Sequence, residues 1–454
     1  MKVLKFGGTS VGTPDSLGNV RAIVESQPEP CIVTVSALGG ITDRLIAAAD
    51  MAAAGDCAYS GIYDEICARH RRVCEAVVPT GYLGDAWAAV KALLDELGTI
   101  LKAINLLREI TERTRDLVVS YGERMSCIIV TSMIPGAKLA HSLEFIRTKS
   151  NFGKSVLDQE ATSALVRERF AELKEERTVI VPGFIARDSD GRISNLGRGG
   201  SDYTAAILAA ELDAKVLEIW TDVDGFMSAD PRIVKDALVI DRLSFVEAME
   251  LCNFGAKVVY PPTIYPVFHK NIPILIKNTF NPTAAGTLIG DTRHGRAIED
   301  PAAIGVSSIA DTRLVSLKGA DATLYNRMIN ILTRNGIETM LTDDRESCGI
   351  RGNDATRAEA LLNEEFASEL MTDALDAVKI SDRLATVALI GRGEEDSTLP
   401  SRLAKTLNSA GIPICHTPQQ VSPGSAACMV AADDLKDALQ TIHAKFIHNS
   451  EHKC

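Results

Sequence analysis

A lysine that ends an apolar segment and is followed at once by two glycines is suited to charge chemistry. In Val3-Leu4-Lys5-Phe6-Gly7-Gly8-Thr9-Ser10, the bare N–H groups of Gly7 and Gly8 can approach phosphate oxygens while Lys5 supplies a point charge. The order differs from a Walker A loop, whose lysine follows its glycines. An ordinary turn beside a surface lysine has the same composition. A second segment, Leu196-Gly197-Arg198-Gly199-Gly200-Ser201-Asp202, surrounds Arg198 with glycines and sets Ser201 and Asp202 before an alanine-rich helix, Tyr203 to Leu212. Arginine on such a loop suits two-pronged capture of a carboxylate, and a helix N-terminus attracts anions. A merely capped helix after a flexible loop reads the same way.

Four further segments carry charge, two of them at expected strand ends. Ser120-Tyr121-Gly122-Glu123-Arg124-Met125-Ser126 follows an expected strand, Asp116 to Val119, so Glu123 either meets a ligand ammonium or belongs to a salt-bridged loop. Thr221-Asp222-Val223-Asp224-Gly225 ends the apolar run Val216 to Trp220, and ligands of open α/β sheets bind beyond such ends. Asp230-Pro231-Arg232 and Phe254-Gly255-Ala256-Lys257 add two cations able to neutralise phosphates. Asp222 and Asp224 have a spacing that hints at metal, but a turn at Asp224-Gly225 accounts for it better. The eight histidines show no ligand spacing, so no metal site is expected.

The elements that must position these groups alternate. Val3–Phe6, Cys31–Ser36, Leu117–Val119, Ala137–His141, Thr178–Pro182, Val216–Trp220 and Ile274–Lys277 read as strands; residues 42–112 read as almost wholly helical. Strand, helix, strand with buried-type strands implies a parallel sheet in an α/β domain. Asp190-Gly191 between Ile185 and Ile193 marks a hairpin. Pro282–Gly286 reads as the end of this domain and Asp291–Asp300 as a polar linker. Beyond it, Leu314–Lys318, Thr323–Arg334, Ile337–Leu341, Cys348–Arg351, Ala355–Glu369 and Ala377–Ser381 make a βαββαβ unit. A weak repeat follows: Ala385–Ile390, a helix Pro400–Ser409, Ile412–Cys415, Ala426–Val430 and a helix Leu435–Ile447. The 454 residues suit two or three domains, and a net charge of −12 argues against nucleic-acid binding. No apolar run reaches the roughly 20 residues of a membrane helix, and there is no signal peptide. Ten cysteines without a CxxC pattern suit reduced thiols and a cytoplasmic location.

The stretches Lys5–Ser10, Ser36–Thr42, Ser120–Ser126, Gly197–Asp202, Trp220–Gly225, Asp230–Arg232 and Phe254–Lys257 together resemble aspartate kinases of the amino-acid kinase superfamily, in family order. Glu218–Gly290 looks most like the kinase half of bifunctional aspartate kinase–homoserine dehydrogenases, and the chain stops too early to hold the dehydrogenase. The remainder resembles the tandem ACT domains that follow this kinase. The resemblance implies an amino-acid kinase fold, a largely parallel central sheet sandwiched by helices, over residues 1–291. Tandem ferredoxin-like ACT units would fill 301–454, the first about 312–382 and the second about 384–454, with a contribution from 301–311 left open. It implies transfer of phosphate from ATP to L-aspartate, the first step of the lysine, threonine and methionine branch. Lys5, Arg198 and Asp202 would be catalytic, with Asp202 orienting the lysine. Thr42, Glu123, Arg198 and Ser201 would hold aspartate. Lys5, Gly7, Gly8, Thr221, Asp222, Met227, Arg232, Lys257 and Val258 would hold ATP, with Mg²⁺ bridging phosphate oxygens and water. Two rivals remain: a kinase of glutamate, acetylglutamate or a nucleotide, and a silent amino-acid sensor.

The sequence departs from the pattern twice. Gly225-Phe226-Met227 puts a methionine where the family often has an adenine-side tyrosine. The effector loop, Thr342-Asp343-Asp344-Arg345-Glu346-Ser347-Cys348, lacks the usual glutamine and paired serines. An amino-acid effector would meet Thr323, Asp343, Arg345 and Ser347. Such an acidic loop accepts an ammonium and repels a carboxylate, so feedback is expected to be lost or lysine-directed, with threonine a poor inhibitor. ACT pairing implies a homodimer, or a tetramer built from it, with neither nucleic acid nor membrane as partner.

Overall fold

The computed structural model describes residues 1–151, 154–291, 303–342, 347–372, 375–391 and 396–447. The chain forms two compact units. The first holds Met1–Phe226, Asp241–Phe245 and Val258–Thr292; the second holds Met227–Ile240, Val246–Lys257 and Arg293–Cys454.

In the first unit, β1 (Lys2–Phe6), α1 (Pro14–Glu25) and β2 (Cys31–Val35) open a parallel arrangement. Thr13 and Ser16 form a reciprocal cap and Pro14 starts α1, where a missing N–H costs nothing. The helices α2 (Ile41–Ala53), α3 (Tyr59–Val77), α4 (Thr80–Leu107) and α5 (Glu112–Met133) follow. Next come β3 (Lys138–Leu139), β4 (Arg147–Asn151), β5 (Lys154–Leu157), α6 (Gln159–Glu172), β6 (Thr178–Pro182), β7 (Ile185–Asp188), β8 (Ile193–Asn195) and α7 (Gly200–Glu211). The unit finishes with β9 (Leu217–Thr221), β10 (Arg242–Leu243), β11 (Ile274–Asn278) and β12 (Thr287–Ile289).

The main sheet has the order β10-β12-β11-β9-β1-β2-β6-β3, and a smaller one the order β5-β4-β7-β8. In the main sheet only β11–β12 is antiparallel. Helices bury β2 and β6 completely, which is why both read as unbroken apolar runs. The expected hairpin is present: Gly191 N–H donates to the Asp188 carbonyl (3.0 Å) and Gly191 has φ +78°.

One expected strand, Leu117–Val119, is instead the second turn of α5. A short β-branched run does not distinguish strand from buried helix. The N-cap at Thr111, whose Oγ1 accepts from Thr114 N–H (3.2 Å), and burial of Val118, Met125, Ile129 and Met133 settle it as helix. Glu123 therefore sits on a helix rather than at a strand end.

In the second unit, β13 (Ala303–Lys318), β14 (Thr339–Met340), β15 (Ser347–Arg351), β16 (Ala377–Ile380), β17 (Leu384–Gly391), β18 (Ile414–Ser422) and β19 (Ser425–Ala431) form one sheet. Its order is β14-β15-β13-β17-β19-β18, and β16 also pairs with β13. The two repeats thus share a strand: Ala303–Ile309 pairs with β17, then a register shift precedes Thr312, and Thr312–Ser316 pairs with β15. Two cores result. Helix Ala322–Arg334 buries Met328 and Leu332 over one, while helices Leu399–Ser409 and Leu435–Phe446 bury Leu403, Leu407, Leu439 and Ile442 over the other. Ala229 and Val234, from the segment inserted between β9 and β10, join the second core. Ser228 Oγ meets His443 Nε2 (2.9 Å) there, and Gln440 Nε2 donates to the Ile233 carbonyl (3.0 Å). The expected strand Ile337–Leu341 shortens to Thr339–Met340, because Leu341 turns to φ +46°. The expected linker, Asp291–Asp300, lies beyond residue 291 outside the described residues.

His70 in α3 is completely buried, its Nδ1 2.8 Å from the Ile66 carbonyl. Burial pulls its pKa down to about 4. The unfolded chain binds a proton below about pH 6.5 while the folded one does not until near pH 4, so stability falls as pH drops through that window. The expected contribution is a loss of about 2 kcal/mol between pH 7 and pH 5. Urea unfolding at both pH values checks it: His70→Leu should show a pH slope flatter by that amount.

Candidate active site

The carboxyl ends of β1, β2, β6 and β9 carry Gly7-Gly8, Ser36, Gly183 and Thr221. Gly7 N–H donates to the Trp220 carbonyl (3.3 Å), Ser36 N–H to the Phe6 carbonyl (3.3 Å) and Gly183 N–H to the Val35 carbonyl (2.9 Å). These bonds continue the ladder past the strands and bring four loops to one edge. Two loops nearly touch: a Cβ on Gly39 would stand 2.8 Å from the Gly8 carbonyl oxygen, a distance at which backbone must move.

Above this edge lies a cavity of about 290 Å³, lined by Lys5, Ser36, Ala37, Thr42, Glu123, Phe184 and the run Gly197–Asp202. The volume lies at the low end for small-molecule sites. Lys5, Thr42, Glu123, Arg198, Ser201 and Asp202, six candidates drawn from four chain segments, share this one space. Lys5 Nζ sits 2.6 Å from Asp202 Oδ1 with both side chains mostly buried. The pair fixes the ammonium beside Gly7. Gly199 caps α7 with a left-handed backbone and Ser201 lies in its first turn, so the helix N-terminus opens on the cavity.

Glu123 is almost fully buried, and Oε2 has no hydrogen-bond partner among the described residues. Burial pushes its carboxyl up to about 8, against an opposing hydrogen bond from the Ala37 N–H. A buried carboxylate oxygen without a partner is costly, and a cationic ligand removes that cost. Arg198 is exposed and makes no ion pair among the described residues; its guanidinium lies 5.9 Å from the Tyr260 ring centroid. Phe184, which sequence reasoning missed, lines the cavity with φ +67° and donates its N–H to Thr204 Oγ1 (3.0 Å). Its signal was available: Pro182-Gly183 breaks an apolar strand just as Gly7-Gly8 does.

The remaining candidates are not among the residues that line this cavity. In the first unit, Thr221 Oγ1 donates to Asp222 Oδ1 (3.2 Å), and Val258 is half-buried. Asp224 accepts from Asn278 Nδ2 (2.7 Å) and Asn281 Nδ2 (3.2 Å), which closes the turn before Gly225. In the second unit, Met227 bridges to Val239, Lys257 is exposed, and Arg232 pairs with Asp230 through two N–H groups at 2.9 and 2.7 Å. Those bonds hold the Asp230 carboxyl below its usual range. Asp343 and Arg345 lie outside the described residues. Thr323 N–H and Leu324 N–H both donate to Asp321 Oδ1 (2.9 Å), and the Ser347 carbonyl accepts from Tyr325 Oη (3.2 Å). Among the described residues no three acidic, histidine or cysteine side chains cluster as metal ligands, and no helix is long and apolar enough to cross a membrane.

Glycine loops and a lysine–aspartate pair at the carboxyl edge of a largely parallel sheet form a site able to receive carboxylate and phosphate groups. The chain belongs to the amino acid kinase family, whose model matches residues 1–278. Its relatives include the lysine-sensitive aspartokinase 3 of Escherichia coli, 30% identical over 86% of each chain. The bifunctional aspartokinase/homoserine dehydrogenase of Haemophilus influenzae is 28% identical over 99% of this chain and 57% of its own length. The chain thus spans little more than half of such bifunctional relatives. The crystal structure of E. coli aspartokinase III with aspartate and ADP, in its R-state, matches with a TM-score of 0.81 at 27% identity, covering 98% of this chain and 99% of that one.

A ligand that brings an ammonium group to Glu123 must draw off its proton. Calorimetric titration at pH 7, in buffers of different ionisation enthalpy, should show release of close to one proton per bound amino acid. Glu123→Gln should abolish that release and weaken binding; unchanged proton release in this variant would assign the proton elsewhere.

Proposed function

We propose that this chain is an aspartate kinase, converting ATP and L-aspartate to ADP and 4-phospho-L-aspartate. The observation that carries the reading is the cavity that joins the Lys5–Asp202 pair, Arg198 and the unpartnered Glu123 oxygen. An α-amino dicarboxylate has one group for each: its ammonium for Glu123, its α-carboxylate for Arg198, and its side-chain carboxylate for the space beside Lys5. Thr42 and Ser201 add hydroxyl contacts. The E. coli structure, solved with aspartate and ADP, supports the same pair of ligands.

A carboxylate is already a nucleophile, so no strong base is required. One of its oxygens attacks the γ-phosphorus as the bond to the β,γ-bridging oxygen breaks, and ADP leaves. The obstacle is an anion approaching a polyanion. Lys5, held in place by Asp202, and the N–H group of Gly8 answer the charge that develops on the phosphoryl oxygens, whereas the Gly7 N–H is already given to the Trp220 carbonyl. Mg²⁺ would enter with the nucleotide, held with few protein ligands, and would help to neutralise the phosphate charge. Thr221, Asp222, Met227, Arg232, Lys257 and Val258 complete the ATP set. On this reading residues 1–291 are catalytic and 301–454 regulatory, and the latter pair two copies as a dimer.

Hydroxamate trapping of the acyl phosphate, run with aspartate, glutamate and acetylglutamate, tests the reaction; turnover of another acid in preference to aspartate overturns it. Lys5→Ala should lower kcat by about 10²–10³ with little change in thermal midpoint. A variant keeping more than about a tenth of wild-type kcat would remove Lys5 from the role.

The effector reading extends to the tail. Asp321 already occupies the free N–H groups of Thr323 and Leu324, so the helix start offers little to an effector carboxylate. With the acidic sequence Asp343-Asp344-Arg345-Glu346, which favours a cationic effector, feedback is absent or lysine-directed. Threonine at millimolar concentration should leave the rate unchanged, and strong inhibition by threonine alone would refute this.

A further inference from the structure

Arg198 has no ion-pair partner among the described residues, yet its loop is held on both sides by residues that do not line the cavity. On one side, Asn195 ends β8. Its Oδ1 accepts from the Gly197 N–H (2.9 Å), and its Nδ2 donates to Asp116 Oδ1 on α5. One amide side chain thus ties the loop backbone to a half-buried carboxylate, and a hydrogen bond to an ionised group is of the stronger kind. On the other side, Gly199 adopts φ +69°, and a Cβ there would stand 2.5 Å from Tyr260 Cβ. Loop backbone and tyrosine are therefore in direct contact, and no larger residue fits. The Arg198 guanidinium, 5.9 Å from that ring, is within cation–π reach.

An exposed arginine ordinarily loses considerable rotamer freedom when it grips a ligand. A guanidinium laid along a tyrosine face, on a loop pinned at Gly197 and packed at Gly199, has lost part of that freedom beforehand. Such preorganisation strengthens binding of the ground state.

We propose that Asn195, Asp116 and Tyr260 are positioning residues that fix the Arg198 loop and so set the affinity for the α-carboxylate of the acceptor. The proposal rests on the reading of Arg198 as the ligand of that carboxylate. Because Arg198 holds a group that does not react, the effect falls on the acceptor KM and leaves kcat alone.

Steady-state kinetics on the full chain, varying aspartate at saturating ATP and ATP at saturating aspartate, tests it. Asn195→Ala should raise the aspartate KM about tenfold while kcat and the ATP KM stay within about twofold. Asp116→Asn retains an oxygen acceptor for Asn195 and should restore near-normal KM where Asp116→Ala does not. Tyr260→Phe keeps the ring face and should retain affinity, whereas Tyr260→Leu should lose it. The deciding arm is the Arg198→Ala background, in which Asn195→Ala should add nothing because both changes remove one contact. The proposal is overturned if Asn195→Ala leaves the aspartate KM unchanged. It is also overturned if that variant lowers kcat and both affinities together with the thermal midpoint, or if it multiplies the loss in the Arg198→Ala background. An unchanged aspartate KM in Arg198→Ala alone would instead show that Arg198 does not hold the carboxylate, removing the premise and the proposal with it.

Discussion

The contact between Lys5 and Asp202 ties the end of the first strand to the first turn of α7, at 2.6 Å and largely out of solvent. An ammonium in that position is costly to bury alone and would repel other cations in the site; paired, it is held in one direction. The pair leaves donor capacity on Lys5, since an ammonium has three N–H groups. The glycine loops then follow from a steric demand. Backbone at Gly8 and Gly39 must come within van der Waals distance for the β1 and β2 loops to share one edge with the lysine, and a side chain at Gly39 would separate them.

Around this pair the charges are distributed by burial. Glu123 is deep, has an unpartnered oxygen and holds a raised pKa, while Arg198 is exposed on a glycine loop. One group waits for a cation in a dry position and the other reaches for an anion from a wet one. On the proposed reading, that asymmetry would orient an α-amino acid before any contact with its side chain is made, leaving the side-chain carboxylate directed at Lys5. The strained backbone at Phe184 sits in the same wall, anchored by Thr204 of α7, so the helix whose N-terminus faces the cavity also fixes the cavity's side.

In the second unit a single long strand serves two repeats. The register shift before Thr312 lets one half of β13 pair with β17 and the other with β15, so neither repeat has a complete sheet without the other. The segment Met227–Ile240 lies on this unit, through Ala229, Val234 and the Ser228–His443 contact, although in chain order it falls inside the kinase-like region. Packing rather than chain order assigns it.

Much of this was legible in the residues themselves. Period, glycine placement and buried-type runs determined the strands β1, β2, β6, β9 and β11, the long helical stretch, and the hairpin at Asp190-Gly191. The short motifs singled out Lys5, Glu123, Arg198, Ser201 and Asp202, since charge beside glycine is a local pattern, whereas Thr42 came only from the resemblance to aspartate kinases. The helix at Glu112–Met133 was not legible from Leu117–Val119 alone, because a three-residue apolar run satisfies both periods and only packing on the sheet chooses. Nor could the sequence show that Glu123 keeps an oxygen without a partner, that Phe184 bends into the cavity wall, or that Asn195 and Tyr260 flank the Arg198 loop. Those facts depend on which distant segments come within a few ångströms of one another. That is decided when the sheet closes and the helices bury their apolar faces, not by any residue's neighbours in the chain.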